Sequence, residues 1–199
     1  RVTILCTTIK DPITWMENVT TLLARTHYPD YEFVVISTIF DQYNKEVFAF
    51  YRELQKQDQR CRLIEAVTEI ESPYLFDFDE KLIISEGQET WLTRLVGCIE
   101  RKDIVVDMVQ PAWIDPQTDL AVNLFPIDSI EMVSNTWFER QQLPQQFAHF
   151  NSLRNTLVKT DFFCDPDFSL TDSVYTAIYL PTVRLGYRKT SLDENQSYR

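Results

Sequence analysis

Residues 2–37 read VTILCTTIKDPITWMENVTTLLARTHYPDYEFVVIS. Two apolar runs flank one amphipathic segment, and that order decides the fold class. VTILCTT (Val2 to Thr8) is a continuous apolar run of strand length, the pattern of a strand covered on both faces. In the segment that follows, Asp11 is placed to cap a helix and Pro12 suits its first turn. Trp15, Val19, Leu22 and Leu23 fall at i, i+4, i+7 and i+8, which is one helical face. YPDY makes a turn, and EFVVIS (Glu32 to Ser37) is a second strand. Strand, helix, strand is the order of a parallel pair with a helical crossover.

The alternation continues outward from this unit. A helix is expected over residues 43–57, with Val47, Phe50, Tyr51 and Leu54 on one side. CRLIEAV (61–67) reads as a third strand and PYLFDF (73–78) as a fourth. A helix over 86–100 presents Trp91, Leu92, Leu95, Val96 and Ile99, and DIVVDMV (103–109) is a fifth strand. From Gln110 to Leu143 the periodicity weakens. A helix is expected over 144–158 on Phe147, Phe150, Leu153 and Leu157, and another starts near Thr171. VRLGYRKT reads as a last strand, and the tail is polar. The expectation is an α/β fold: a single domain over 1–199, with a mixed, mostly parallel sheet of about six strands flanked by helices. A chain that starts at Arg rather than Met is expected to be part of a longer one.

Composition narrows the function. The chain has 199 residues, 44% of them apolar and 13% aromatic, enough for a full core. A net charge of −11 argues against nucleic acid as a partner, because phosphates need a basic face. No apolar run approaches the roughly 18 residues of a membrane span. Four separated cysteines and two histidines do not make a zinc cluster. The cysteines read as reduced core residues, and the expected location is cytoplasmic. Glycine occurs three times and never in the first 86 residues. Both the dinucleotide-binding glycine turn and the P-loop are excluded, since each needs glycine to bring backbone amides against phosphate. A nucleotide bound by this acidic chain needs another neutralising device, and a divalent cation held by carboxylates is the obvious one.

SPYLFDFDEK (Ser72 to Lys81) supplies the carboxylates. Asp77 and Asp79 close an apolar strand, and residues i and i+2 point the same way. Ligands of open α/β sheets bind beyond the carboxyl ends of the strands. Thr7, Thr8, Ser37, Asp77 and Asp79 all fall there. Two hard oxygen ligands suit Mg²⁺ or Mn²⁺. A polar turn is the bland alternative. A phosphoryl nucleophile is the other, since the stretch also resembles the first motif of haloacid-dehalogenase-type phosphatases, with Glu80 and Lys81 in place of their Gly-Thr.

The opening VTILCTT…EFVVIS, the strand YLFDFDE, the helix and strand that follow, and the late SLTDSVYTAIYL with RLGYR together resemble GT-A glycosyltransferases, especially family 2. The resemblance covers most of the chain and is strongest over 2–109. Within the family it is nearest to chlorella-virus domains implicated in building capsid glycans. It implies a metal-dependent transferase that moves a sugar from a UDP-sugar donor to a glycan acceptor, a viral capsid glycan, in the host cytoplasm. Residues 1–109 would then be the nucleotide-binding half and 110–199 the acceptor half. It further implies metal binding by Asp79 and Asp77, with Asp77 also near the ribose, and nucleotide contacts from Thr7, Thr8 and Ser37. Asp172 becomes the candidate catalytic base. Trp137 and Arg140, with the basic Arg188 and Arg199, become candidates for sugar or diphosphate contacts. Ser37 stands where the family usually has aspartate, and Thr171-Asp172 where it has Glu-Asp. These departures keep open a GT-A-like domain that binds nucleotide or sugar without turnover.

Overall fold

The computed structural model describes residues 1–42, 45–119, 121, 146–147, 153–170 and 175–188. β1 (Val2–Cys6) is buried at every position and lies between two parallel neighbours, β2 (Tyr31–Ile36) and β4 (Tyr74–Asp77). β3 (Cys61–Ile64) extends this parallel set beyond β2. The unbroken apolar runs are explained by burial on both faces: Val2, Ile4 and Cys6 belong to one core and Leu5 to the other.

α1 (Pro12–Arg25) starts where the sequence places it. Asp11, in extended conformation, accepts from the amides of Ile13 and Thr14 at 3.1 and 3.2 Å and from the Thr14 hydroxyl at 2.7 Å. Trp15, Val19 and Leu22 are wholly buried in the first core. α2 (Lys45–Gln57) is preceded by a 3₁₀ turn, Ser37–Gln42. Tyr51 on α2 donates to the carbonyls of Phe33 and Arg62, tying the helix to β2 and β3. α3 is Trp91–Ile99, shorter than the expected 86–100, because residues before it turn through Gly87 at φ +84°.

The remaining strands are β5 (Leu82–Ile83), β6 (Met108–Ile114), β7 (Gln146–Phe147), β8 (Leu157–Lys159) and β9 (Ala177–Tyr187). One sheet runs in the order β3-β2-β1-β4-β8-β6-β9-β5, with β7 also on β9. The long ladders are parallel: β1 with β2 and β4, β2 with β3, and β6 with β9. The antiparallel ones, β4–β8, β6–β8, β5–β9 and β7–β9, are short. The sheet is thus mixed and mostly parallel, with nine strands described rather than about six. α1, α2 and α3 cover one face, and a short α4 (Thr160–Cys164) packs Phe162 and Phe163 on the other.

Several expectations are corrected. The fifth predicted strand begins five residues late, at Met108, and runs through Pro111 to Ile114. Asp107, just before it, is buried and tied to Lys159 Nζ at 2.7 Å and the Thr176 amide at 2.8 Å. Pro111 sits at the register shift against β9, where a missing N–H is tolerated. The helix expected over 144–158 is not formed: 146–147 and 157–159 are strands. Leu157 and Val158 insert between β4 and β6 and face opposite cores, so burial on both faces overrides the helical spacing. The start of the helix expected near Thr171 lies outside the described residues, but Ala177–Tyr187 downstream is strand. Three cysteines are buried, while Cys164 is exposed at the end of α4 rather than in the core. Among the described residues, no helix is long and apolar enough to cross a membrane.

Candidate functional site at the rim of the parallel strands

The site is built where β1 and β4 end side by side. Leu5 is the register partner of Asp77, and the Phe78 amide donates to the Leu5 carbonyl at 2.7 Å. Beyond this point Thr7 swings its hydroxyl to Asp77 Oδ1 at 3.3 Å. Asp77 and Asp79 are both buried, while Phe78 between them packs into the core against Phe33. The i, i+2 spacing therefore puts both carboxylates on one side, as the sequence implied.

The chain from Arg154 to Thr156, entering β8, braces this strand end. The Asn155 amide donates to the Asp77 carbonyl at 2.6 Å, and its side-chain Oδ1 accepts the Asp79 amide at 3.0 Å. Asn155 manages both from the left-handed region, φ 49°, which Asn tolerates better than most residues. Asp79 Oδ1 accepts the Lys81 amide at 2.9 Å. Its Oδ2 faces Arg154 Nη1 at 3.3 Å and the Tyr187 hydroxyl at 3.4 Å. Tyr187 is itself stacked on Trp113, with ring centroids 5.2 Å apart.

Burial pushes the Asp77 carboxyl up to about 6; Arg154 and the Thr7 hydroxyl pull it down, and Asp79 raises it. Glu80 adds a third buried carboxyl. Its Oε1 accepts the Lys10 amide at 3.2 Å, its Oε2 is buried without a hydrogen bond, and its carbonyl accepts Asn18 Nδ2 at 2.5 Å. Burial, then Asp79, raise its pKa. Burial pushes the nearby Cys6 thiol up to about 12, away from the thiolate form.

The structure brings Thr7, Asp77 and Asp79 together as the sequence suggested. Thr8 and Ser37 are half-buried, Thr8 just past β1 and Ser37 opening the turn after β2, with no contact to the carboxylates among their hydrogen bonds. Arg188 follows β9, donates its amide to the Lys81 carbonyl at 3.0 Å and reaches Thr14 in the first turn of α1 at 3.2 Å. Trp137, Arg140, Asp172 and Arg199 lie outside the described residues. Arg154, Asn155, Glu80 and Tyr187 were not anticipated as site residues. The first two fell inside a predicted helix. Their signal was an Asn-Thr pair ahead of the β-prone Leu157-Val158, a turn opening a strand.

Parallel strands ending in a paired carboxylate beside β1, then a mixed second half of the sheet, are the features of the GT-A class of α/β fold, which solved structures similar to this chain share. Two structures of S. aureus TarS 1–349 share the fold. One gives a TM-score of 0.54 at 10% identity over 92% of this chain, and the other, in complex with UDP, gives 0.61 at 11% identity over 98%. A mycobacterial protein gives 0.56 at 10% identity over 97%. The chain spans only 61% or 63% of the TarS 1–349 chains and 69% of the mycobacterial one. Likeness at this level of identity establishes the fold. No protein-family model matches the sequence, and no curated protein matches it.

Proposed function

We propose that the chain is a metal-dependent GT-A glycosyltransferase domain that takes a UDP-sugar donor and a glycan acceptor. One observation carries the reading: Asp77 and Asp79 lie buried side by side at the rim of a GT-A sheet, in a chain with no glycine loop to cradle phosphate. Support comes from TarS, which shares the fold and has been solved with UDP. The donor set fits a hard divalent cation. Two carboxylates sit together, and among the described residues Asp77 Oδ2 has no hydrogen-bond partner. Among the described residues no group of three or more Asp, Glu, His or Cys side chains could hold a metal ion by itself, so a cation on Asp77 and Asp79 would need its remaining ligands from a diphosphate and water. Asp77 and Asp79 would hold Mn²⁺ or Mg²⁺, which when bound neutralises charge on the leaving phosphate.

The chain's own groups set the geometry. Thr7 orients the Asp77 carboxylate, and Asn155 locks the backbone of both acids. Arg188 reaches the N-terminus of α1 and adds positive charge beside the Asp11 carboxylate that caps it, on the same side of the molecule as Lys81. Asp172 is proposed as the base that takes the acceptor proton, with Trp137, Arg140 and Arg199 toward sugar and diphosphate. The proposed acceptor is a glycan of the kind found on viral capsid proteins, in a host cytoplasm. The phosphatase alternative loses ground, because Asp77 ends the fourth strand of the chain and not the first of its core. A domain that binds without turnover is favoured by one observation, the Arg154 side chain resting on Asp79. Turnover of a donor panel including UDP-glucose and UDP-rhamnose separates the two readings. Mn²⁺-stimulated release of UDP that is lost in Asp172→Asn is expected of the enzyme. Tight UDP binding with no release from any donor would establish the binder instead.

A further inference from the structure

Two buried carboxylates at one strand end need a compensating charge even with no ligand bound. Arg154 is placed to provide it. Its main chain is pinned: it bridges Asp77, its carbonyl accepts the Thr156 hydroxyl at 3.1 Å, and the next residue donates to the Asp77 carbonyl at 2.6 Å. Its guanidinium meets the pair at longer range. The Arg154 side chain is 35% exposed against 7% for Asp79, and they meet at 3.3 Å, outside the 2.7–2.9 Å of a tight charge-assisted bond. Asp79 Oδ1 is committed to the Lys81 amide, so Arg154 meets Oδ2, which also accepts from the Tyr187 hydroxyl at 3.4 Å.

We propose that Arg154 is a resident counter-cation of the carboxylate pair, which a divalent metal displaces from Asp79 Oδ2 and which then serves the donor diphosphate. The proposal rests on the reading of Asp79 as a metal ligand. Before metal binds, the guanidinium supplies the positive charge that faces the pair. Metal binding moves it by a change of rotamer, since the anchored backbone need not shift. Its bidentate fork suits phosphate oxygens at the same rim. The two roles predict opposite effects of a single substitution, which a purely structural arginine would not produce.

The test uses the full chain and Mn²⁺ alone, followed by paramagnetic resonance or calorimetry with no nucleotide present. Arg154→Met is expected to bind Mn²⁺ about tenfold more tightly than the unaltered chain, as a competing charged contact is removed. The same variant, saturated with Mn²⁺, is expected to bind UDP about tenfold more weakly, and Arg154→Lys to recover part of that loss. Melting curves on both variants check folding, and Arg154→Lys keeps the charge should Arg154→Met be unstable. Mn²⁺ affinity that is unchanged or weaker in both variants overturns the proposal. Asp79→Ala distinguishes that failure from failure of the underlying reading: Mn²⁺ binding that survives Asp79→Ala removes the metal-ligand assignment and the proposal with it.

Discussion

Burial raises the Asp77 carboxyl from an ordinary 3.8 to about 6, against the pull of Arg154 and Thr7. An acid whose folded pKa is raised contributes stability fully present below its unfolded value, near 3.8, and lost as pH climbs through about 6. At pH 8 the ionised Asp77 therefore lowers stability by about 3 kcal/mol, the shift converted at 1.36 kcal/mol per unit. Asp77→Asn keeps an acceptor for Thr7 and removes the charge. It is expected to be more stable than the unaltered chain at pH 8, with the gap closing toward pH 4, as read from urea midpoints across that range. An Asn variant less stable at pH 8 would contradict the assigned cause. A residue that lowers the stability of the empty protein at neutral pH is what a ligand-binding carboxylate looks like.

Elements differ in how openly the sequence declares them. β1, α1 and β2 were legible because each carries its own signal: an apolar run, a cap at Asp11 with Pro12 behind it, and a helical face on Trp15, Val19 and Leu22. β8 was not, since three residues hold no period, and its strand state comes from burial between β4 and β6. β5 escaped for the same reason, being two residues that exist as a strand only through β9. That pairing depends on Gly186. A Cβ there would stand 3.1 Å from Ile83 Cβ and 3.3 Å from the Ile83 carbonyl. Gly186→Val is expected to cost about 1–3 kcal/mol by overpacking and to disturb Tyr187 beside it. Urea unfolding reads the first effect. No loss of stability would mean that β5 can separate from β9 freely.

Across the whole molecule, the acidic rim is assembled from distant parts of the chain: Thr7 after β1, Asp77 and Asp79 at β4, Arg154 and Asn155 before β8, and Tyr187 on β9. The local part, an Asp-x-Asp at a strand end, was readable. The bracing part was not, because it depends on where β8 and β9 land in the sheet. A net charge of −11 fits the proposed function, in which a cation and a few arginines would meet a diphosphate in an otherwise acidic protein. The central claim is that this rim binds a nucleotide diphosphate through a metal on Asp79. Calorimetry of UDP with and without Mn²⁺, on the unaltered chain and on Asp79→Ala, tests it most directly. The account predicts binding that requires Mn²⁺ and disappears in Asp79→Ala, with the fold intact by circular dichroism. UDP binding of equal strength without metal, or undiminished in Asp79→Ala, would contradict it.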